Sequence, residues 1–446
     1  MRLADHFWRS KLATNVKLLV IALCLCVQQV NAQDLLQTYQ QVVKSDPRLL
    51  IDTLGVEVGV ARKNQSFGAL LPQASLNSNL ASNTRRMEGR SIDHYSGERY
   101  SFSVQQTLFD MPKFRAWQKS GAVLEQFQFQ LKETQSAVRL DTIERYFALL
   151  QANDELALVE EAIVAVSKQK DQVEALYNKQ LVKITDFYEI EARLDMLGSQ
   201  EVDASQKVAL AKGGLSELTQ EPVTKIVRLS KQIEFGEQAV NVGQAVESLA
   251  SKSPKLKALG KSVEAAMMNL KQQKGRHYPV LGIQLSKQKS DIGFDNTLSP
   301  VTDTEIAALT ISIPLFSGGA TSARVYEARQ QLAISRATFD QELRKSIKEL
   351  KDEFLQVGAL ERRIQATGKA MRSTQKSYQA IDKSFKFMVA TISDVLDAQQ
   401  AYLKSKREFQ QTIYDYILSR ARLKHKTGDL NDESVAKINT WLNEKG

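Results

Sequence analysis

The chain carries one plan twice, and no other feature constrains its fold so strongly. Leu108-Phe109-Asp110 returns as Leu315-Phe316-Ser317, Asp46-Pro47 as Ser253-Pro254 and Leu71-Pro72 as Tyr278-Pro279, each 207 positions later; Ile184-Thr185-Asp186 returns as Ile392-Ser393-Asp394 after 208. Four landmarks in the same order with one net insertion mark a tandem duplication, and a repeat of that length must be recognised before any single element is assigned.

Between the landmarks each copy runs through the same changes of period. A helical stretch broken by a proline at a helix start, at Asp46-Pro47 and again at Ser253-Pro254, loses no hydrogen bond there. After Leu71-Pro72 and Tyr278-Pro279 the period falls from 3.6 to 2. Ala74, Leu76, Ser78 and Leu80 alternate with Gln73, Ser75, Asn77 and Asn79, and Tyr100, Phe102, Val104 and Leu108 with Ser101, Ser103, Gln105 and Thr107. In the second copy Leu281, Ile283 and Leu285 answer Leu309, Ile311, Ile313 and Leu315. Each copy thus predicts a β-hairpin, about 72–109 and 279–316, with one apolar and one uncharged-polar face. The loops are expected over 84–99 and 287–304.

Long helices follow. Val159, Ile163, Val166 and Val173, and in the second copy Leu343, Ile347, Leu350, Phe354 and Val357, step by three, four or seven, the spacing of a coiled-coil contact. Each rod is interrupted once, at Ile184-Thr185-Asp186 and Ile392-Ser393-Asp394, where Thr, Ser or Asp can cap a new helix. The expected organisation is a first repeat over 33–222 with helices to 218, a linker or accessory piece over 223–241, a second repeat over 242–428 with helices to 426, and a polar tail over 429–446.

The first 32 residues predict an export signal: basic residues up to Lys17, an apolar run from Leu18 to Val27, then Val30-Asn31-Ala32. Both cysteines, Cys24 and Cys26, fall inside it, so the exported chain has no disulfide and no cysteine metal site. Removing Arg2, Arg9, Lys11, Lys17 and Asp5 takes the net charge of +9 to +6. That mild excess contains no dense basic block of the kind that binds nucleic acid. The histidines number four, His6, His94, His277 and His425, and are scattered. No phosphate loop, nucleophile elbow or His-Glu-x-x-His is present, so neither catalysis nor a cofactor or metal is expected.

An exported chain with two amphipathic hairpins and long rods invites one physical question. A bilayer accepts strands only in a closed barrel, because each unpaired backbone group in oil costs several kcal/mol. Four strands cannot close around a lumen, so membrane strands require several chains, eight strands from two or twelve from three. The rods are too long to fold back and would project as a coiled-coil tube.

Ile313-Pro314-Leu315-Phe316-Ser317-Gly318-Gly319, the answering Leu108-Phe109-Asp110-Met111, Leu71-Pro72 and Ser393-Asp394-Val395-Leu396-Asp397-Ala398 resemble the outer-membrane efflux proteins typified by TolC. The resemblance implies a mainly α fold with a membrane β-barrel portion. A homotrimer would share twelve strands in outer-membrane lipid and a helical tunnel in the periplasm. It implies partners too: a periplasmic adaptor and an inner-membrane ABC or proton-driven exporter, serving type I secretion or multidrug efflux, with a lean toward protein secretion.

By motif, the resemblance places cation-attracting rings at a tunnel-entrance constriction on Asp394 and Asp397. It places gate and turn contacts at Thr185, Asp186, Phe385 and Ala390, and barrel-to-helix junctions at Pro72, Phe109, Pro279, Phe316, Gly318 and Gly319. The family's tyrosine and arginine latch partners align with Phe385 and Ala390, so the gate is expected to be latched differently or more loosely. The glycine that usually precedes each turn is replaced by Gln180 and Met388. The competing reading is a periplasmic coiled-coil adaptor, which would carry one helical hairpin between β-domains rather than two copies of this unit.

Overall fold

The computed structural model describes residues 33–86, 88–89, 92–223, 225–230, 241–292 and 298–443. The expected export signal and most of the linker lie outside them. In chain order the elements are α1 (Leu35–Ser45), α2 (Pro47–Gly68), β1 (Gln73–Arg85), β2 (Asp93–Phe109), α3 (Met111–Asn178), α4 (Ile184–Thr219) and β3 (Arg228–Leu229). There follow α5 (Val242–Lys252), α6 (Pro254–Gly275), β4 (Val280–Ile292), β5 (Leu298–Ser312), α7 (Ala320–Lys386), α8 (Ile392–Thr427), α9 (Asp432–Asn439) and β6 (Leu442–Asn443). The duplication survives at this level: α4 and α8 are both 36 residues long and start and end 208 positions apart.

The prolines act as their positions predict. Pro47 and Pro254 open α2 and α6, and the residue before each caps the helix: Asp46 Oδ1 accepts the Arg48 N–H at 2.8 Å, and Ser253 Oγ accepts the Leu256 N–H. Helices α3 and α7, 68 and 67 residues, are each about 100 Å long at 1.5 Å per residue. In the lower part of the molecule four helices stand in a row in the order α4, α3, α8, α7, with α4 against α3, α3 against α8 and α8 against α7. The valines of the first rod lie in this contact: Val159, Val166 and Val173 are buried.

Four strands form one antiparallel sheet in the order β1-β2-β4-β5, so the two repeats join through β2 and β4, and β1 and β5 are its edges. The strands are longer than the alternation predicts. β1 continues to Arg85 and β2 begins at Asp93, while β4 reaches Ile292 and β5 begins at Leu298. Much of the expected loops over 84–99 and 287–304 is therefore strand. Ion pairs rather than apolar residues carry the second hairpin upward, with Lys287 at 2.7 Å from Glu305 across the strands. A register shift between Thr107 and Phe109 sets Phe109, not Leu108, opposite Leu281. One extra residue in a strand turns the following side chain to the other face.

The densest core lies midway along the rods, where Tyr146, Phe147, Leu149, Leu150, Leu215, Tyr414 and Ile417 come together. The Tyr146 hydroxyl is within hydrogen-bond distance of the Gln33 carbonyl (3.0 Å) and the Val227 carbonyl (3.2 Å), tying the first described residue and the linker to α3. β3 pairs with β6, and Val435 and Ile438 of α9 are buried in the same core. The stretch 429–446, polar on average, thus keeps an apolar stripe at helical spacing.

Candidate functional site

The residues singled out in the sequence collect at opposite ends of the rods. At one end α3 turns into α4 and α7 into α8, bringing Thr185, Asp186, Phe385, Ala390, Asp394 and Asp397 to the two tips. At the other end Pro72, Phe109, Pro279, Phe316, Gly318 and Gly319 stand where the sheet meets the helices.

Each tip turns through one left-handed residue. Gln180 has φ 59° and Met388 φ 61°, values that favour glycine because a Cβ crowds the following carbonyl there. The two residues that stand in place of the glycines thus take up the backbone conformation that glycine favours. The next helix is capped by its own aspartate. Asp186 Oδ2 accepts the Lys183 N–H at 3.2 Å. Asp394 Oδ2 accepts the Thr391 N–H (2.9 Å) and hydroxyl (2.7 Å), while Thr391 Oγ1 accepts the Asp394 N–H (3.2 Å), a reciprocal capping box. The hydrogen bonds from Thr391 hold the Asp394 carboxyl below the usual aspartate range. Asp394 and Asp397 are both exposed, three residues apart, in the first and second turns of α8.

Phe385 is buried among Ile190, Ile392, Val395 and Leu396, and Ala390 packs against the same cluster. An apolar plug thus occupies the place where the family resemblance implies polar latch partners. The polar link between the tips is one that motif reasoning missed: the Ser393 hydroxyl donates to Glu189 Oε1 at 2.8 Å, joining α8 to α4. A signal for it existed in the 208-residue offset, which relates Ser393 to Thr185 and Asp397 to Glu189. Beside it Lys170 reaches Glu191 at 3.0 Å and lies over the Phe187 ring.

The two junctions at the opposite end are built differently. Asp110 caps α3 by accepting the Lys113 N–H at 3.0 Å, with Pro112 in the first turn. The second copy turns through Gly318 (φ 61°) and Gly319 (φ 83°) into α7. Leu315 and Phe316 before them are 91% and 89% exposed, and Leu309 and Ile311 on β5 are 63% and 62% exposed. Among the described residues nothing covers the apolar face of the sheet. From Ala307 to Leu315 that face spans about 27 Å at 3.4 Å per residue, close to the ~25 Å apolar band of outer-membrane barrels. Among the described residues no helix is long and apolar enough to cross a membrane, and no group of His, Cys, Asp and Glu could hold a metal ion.

Residues 245–429 match the family model described as Outer membrane efflux protein. The chain is 24% identical over 426 residues to Outer membrane protein TolC of Escherichia coli (strain K12), covering 93% of this chain and 86% of the relative. It is 25% identical over 428 residues to Alkaline protease secretion protein AprF of Pseudomonas aeruginosa, covering 93% and 89%. Among solved structures it superposes on the outer membrane protein VceC from Vibrio cholerae with a TM-score of 0.77 at 15% identity, covering 88% of this chain and 96% of the other. The Campylobacter jejuni CmeC outer membrane channel gives 0.79 at 12% identity, covering 94% and 92%.

Proposed function

We propose that the chain, similar to TolC and to the outer membrane efflux proteins, is an outer-membrane channel component, and that three copies close into one conduit spanning the outer membrane and the periplasm. The observation that carries this reading is the sheet: its apolar face is bare and its two edge strands, β1 and β5, have no outer partner among the described residues. Unpaired edges are untenable in lipid, so β5 of one copy pairs with β1 of the next. Three copies give twelve strands. The adaptor alternative lacks an explanation for four long strands with an uncovered apolar face.

The expected division belongs to this reading: an export signal over 1–32, repeats over 33–222 and 242–428, and the linker and tail around the middle of the rods. The tips form the periplasmic entrance. There Asp394 and Asp397, repeated three times around an axis, would make a negative constriction that draws in cations. Asp394 also caps its helix, so its carboxylate does two jobs. Thr185, Asp186, Phe385 and Ala390 set the tip geometry, with Phe385 as an apolar plug. The wall of the barrel, on the face opposite Leu76 and Leu309, is lined by Ser, Asn, Gln and Thr, a wet surface with little selectivity.

The partners follow from the function. A conduit open only to the periplasm needs an energised inner-membrane exporter, ABC or proton-driven, and an adaptor to bridge to it. Two similar proteins are named for protease secretion, AprF and Proteases secretion protein PrtF of Dickeya chrysanthemi, the latter 21% identical over 454 residues. They favour protein secretion over drug efflux. Deleting the gene tests this directly: loss of one or a few secreted proteins with unchanged drug sensitivity is expected, and the reverse pattern would assign the channel to drug efflux. Purified protein should migrate as a heat-modifiable trimer and conduct ions across planar bilayers. A monomer without conductance would refute the conduit.

A further inference from the structure

The row of helices α4, α3, α8, α7 is held by a contact between each pair of neighbours and by a short one between α4 and α8 near the tips, and the duplication says that another is missing. Under the 208-residue offset α3 corresponds to α7 and α4 to α8. The contact of α4 with α3 is then the same contact as α8 with α7, both made within the chain. The contact of α3 with α8 corresponds to one between α7 and α4. Those two helices are the ends of the row, so one chain cannot make it with itself.

We infer that a second copy supplies it, with Thr185 of one chain donating its hydroxyl to Asp397 of the next and an acidic flank of α4 lying against a basic edge of α7. The inference rests on the multimeric conduit and says which residues join its walls at the entrance.

The visible contact serves as the template. Within the chain Ser393 on α8 donates to Glu189 on α4 at 2.8 Å. The offset turns Ser393 into Thr185 and Glu189 into Asp397, so hydroxyl and carboxylate are both kept although their chain positions have exchanged. Both Thr185 and Asp397 are exposed.

Higher up, α8 meets α3 through Lys406 to Glu161 at 2.7 Å and through the Tyr414 hydroxyl to Asp154. The offset turns the two carboxylate positions of α3, Asp154 and Glu161, into Arg362 and Lys369 on α7. The sign is reversed at these two positions, and the edge of α7 stays basic beyond them: Arg362, Lys369, Lys376 and Lys383 recur every seven residues and are all exposed, the last two answering Lys168 and Ala175 of α3.

The partner helix has changed to match. Lys406 becomes Gly198 on α4, flanked by the exposed Asp195, Glu201 and Asp203. A heptad of cations on one helix and carboxylates on another is the pattern that sets register and partner choice in coiled coils. The exposed Met196 and Val202 between those carboxylates supply the apolar strip of such a contact. The reversal also discriminates. The acidic flank of α4 is matched to α7 of a neighbour and mismatched to the acidic face of α3, so copies assemble in one cyclic order.

Paired cysteines test the geometry in full-length protein in outer membranes, since both native cysteines fall in the expected export signal. A short thiol-to-thiol cross-linker is preferable, because a disulfide needs Cβ atoms within about 4.5 Å. Thr185→Cys with Asp397→Cys, and Gly198→Cys with Lys369→Cys, should give bands at two and three times the chain mass. Glu189→Cys with Ser393→Cys should stay at the mass of one chain. A trimer by mass in mild detergent that yields no higher bands from the first two pairs overturns this inference and leaves the conduit standing. Protein that is not oligomeric at all overturns both.

Charge exchange provides the second reading. Arg362→Glu with Lys369→Glu should lower detergent-resistant trimer about tenfold, the scale of a few partly screened ion pairs. Adding Asp195→Lys and Asp203→Lys should restore it, and failure of that rescue would refute the charge pairing.

Discussion

Two side chains, Gln180 and Met388, occupy backbone conformations that cost a residue with a Cβ about 1–2 kcal/mol. Glycine would remove that strain, at a loss of 0.4–1 kcal/mol or so from the added freedom of the unfolded chain. Met388→Gly should therefore stabilise the tip by about 0.5–1 kcal/mol, read as a raised midpoint of thermal unfolding; an unchanged or lowered midpoint would show that Met388 makes contacts worth the strain. His425 offers a test by pH. It is buried against α3, with Ser136 Oγ 2.8 Å from Nδ1 and Glu133 3.7 Å from Nε2, and burial with nearby Lys426 and Lys255 lowers its pKa to about 4. The unfolded chain takes up that proton near pH 6.5, so the stability tied to a neutral His425 is complete above 6.5 and declines as pH falls toward 4. Burial raises the pKa of Glu133, which acts with the opposite sign and softens the loss. On acidification from pH 7 to 5 the wild type should lose about 2 kcal/mol more than His425→Gln, measured as the difference between their thermal midpoints. Equal losses would mean that His425 is already protonated in the fold.

At the scale of elements the sequence was most legible where a period and a breaker coincided. The prolines at 47 and 254, the switch to alternation after Pro72 and Pro279, and the paired tip turns all fall where the residues place them. It was least legible where a strand is carried by ions or by one close contact. Lys287, Asp303 and Glu305 extend the second hairpin without any apolar alternation. Likewise the apolar stripe of α9 and Trp441 is diluted by charged neighbours, and the link between Ser393 and Glu189 shows only once the two copies are laid over each other. Gly97 on β2 is the clearest such contact: a Cβ there would collide with Cγ1 and Cδ1 of Ile292, which is buried at the end of β4. Ser290 holds that end in place by accepting the Ile292 N–H at 3.1 Å and donating to its carbonyl at 2.9 Å. Gly97→Ala should cost about 1–3 kcal/mol through overpacking, seen as a lowered temperature of trimer dissociation in detergent. Ile292→Ala in the same chain should recover most of it, whereas an additive loss would place the cost elsewhere.

For the whole molecule the decisive property is that one face of the sheet is oily and bare while the other is polar, and the two alternate residue by residue along β5. Leu309 and Thr310 are neighbours that would have opposite surroundings in the proposed barrel: Leu309 lies on the face shared with Ile283, and Thr310 on the face shared with Gly282 and Thr107. Arginine on the lipid face near the middle of a bilayer costs about 2–4 kcal/mol per chain, and on a wet lumen face far less. With the three copies proposed above, the first penalty would approach about 10 kcal/mol per barrel, comparable to the net stability of a folded protein. Leu309→Arg should therefore deplete folded trimer from outer-membrane fractions, while Thr310→Arg, one residue away on the same strand, should insert normally and alter only the ion selectivity of the channel in bilayers. Equal tolerance of both would place the sheet in water, and equal failure would mean that both faces are packed against protein. In the proposed barrel the same alternation explains why the rods need no apolar surface of membrane length: the lipid would be met by the β-strands, and the helices of 68 and 67 residues would stand outside it.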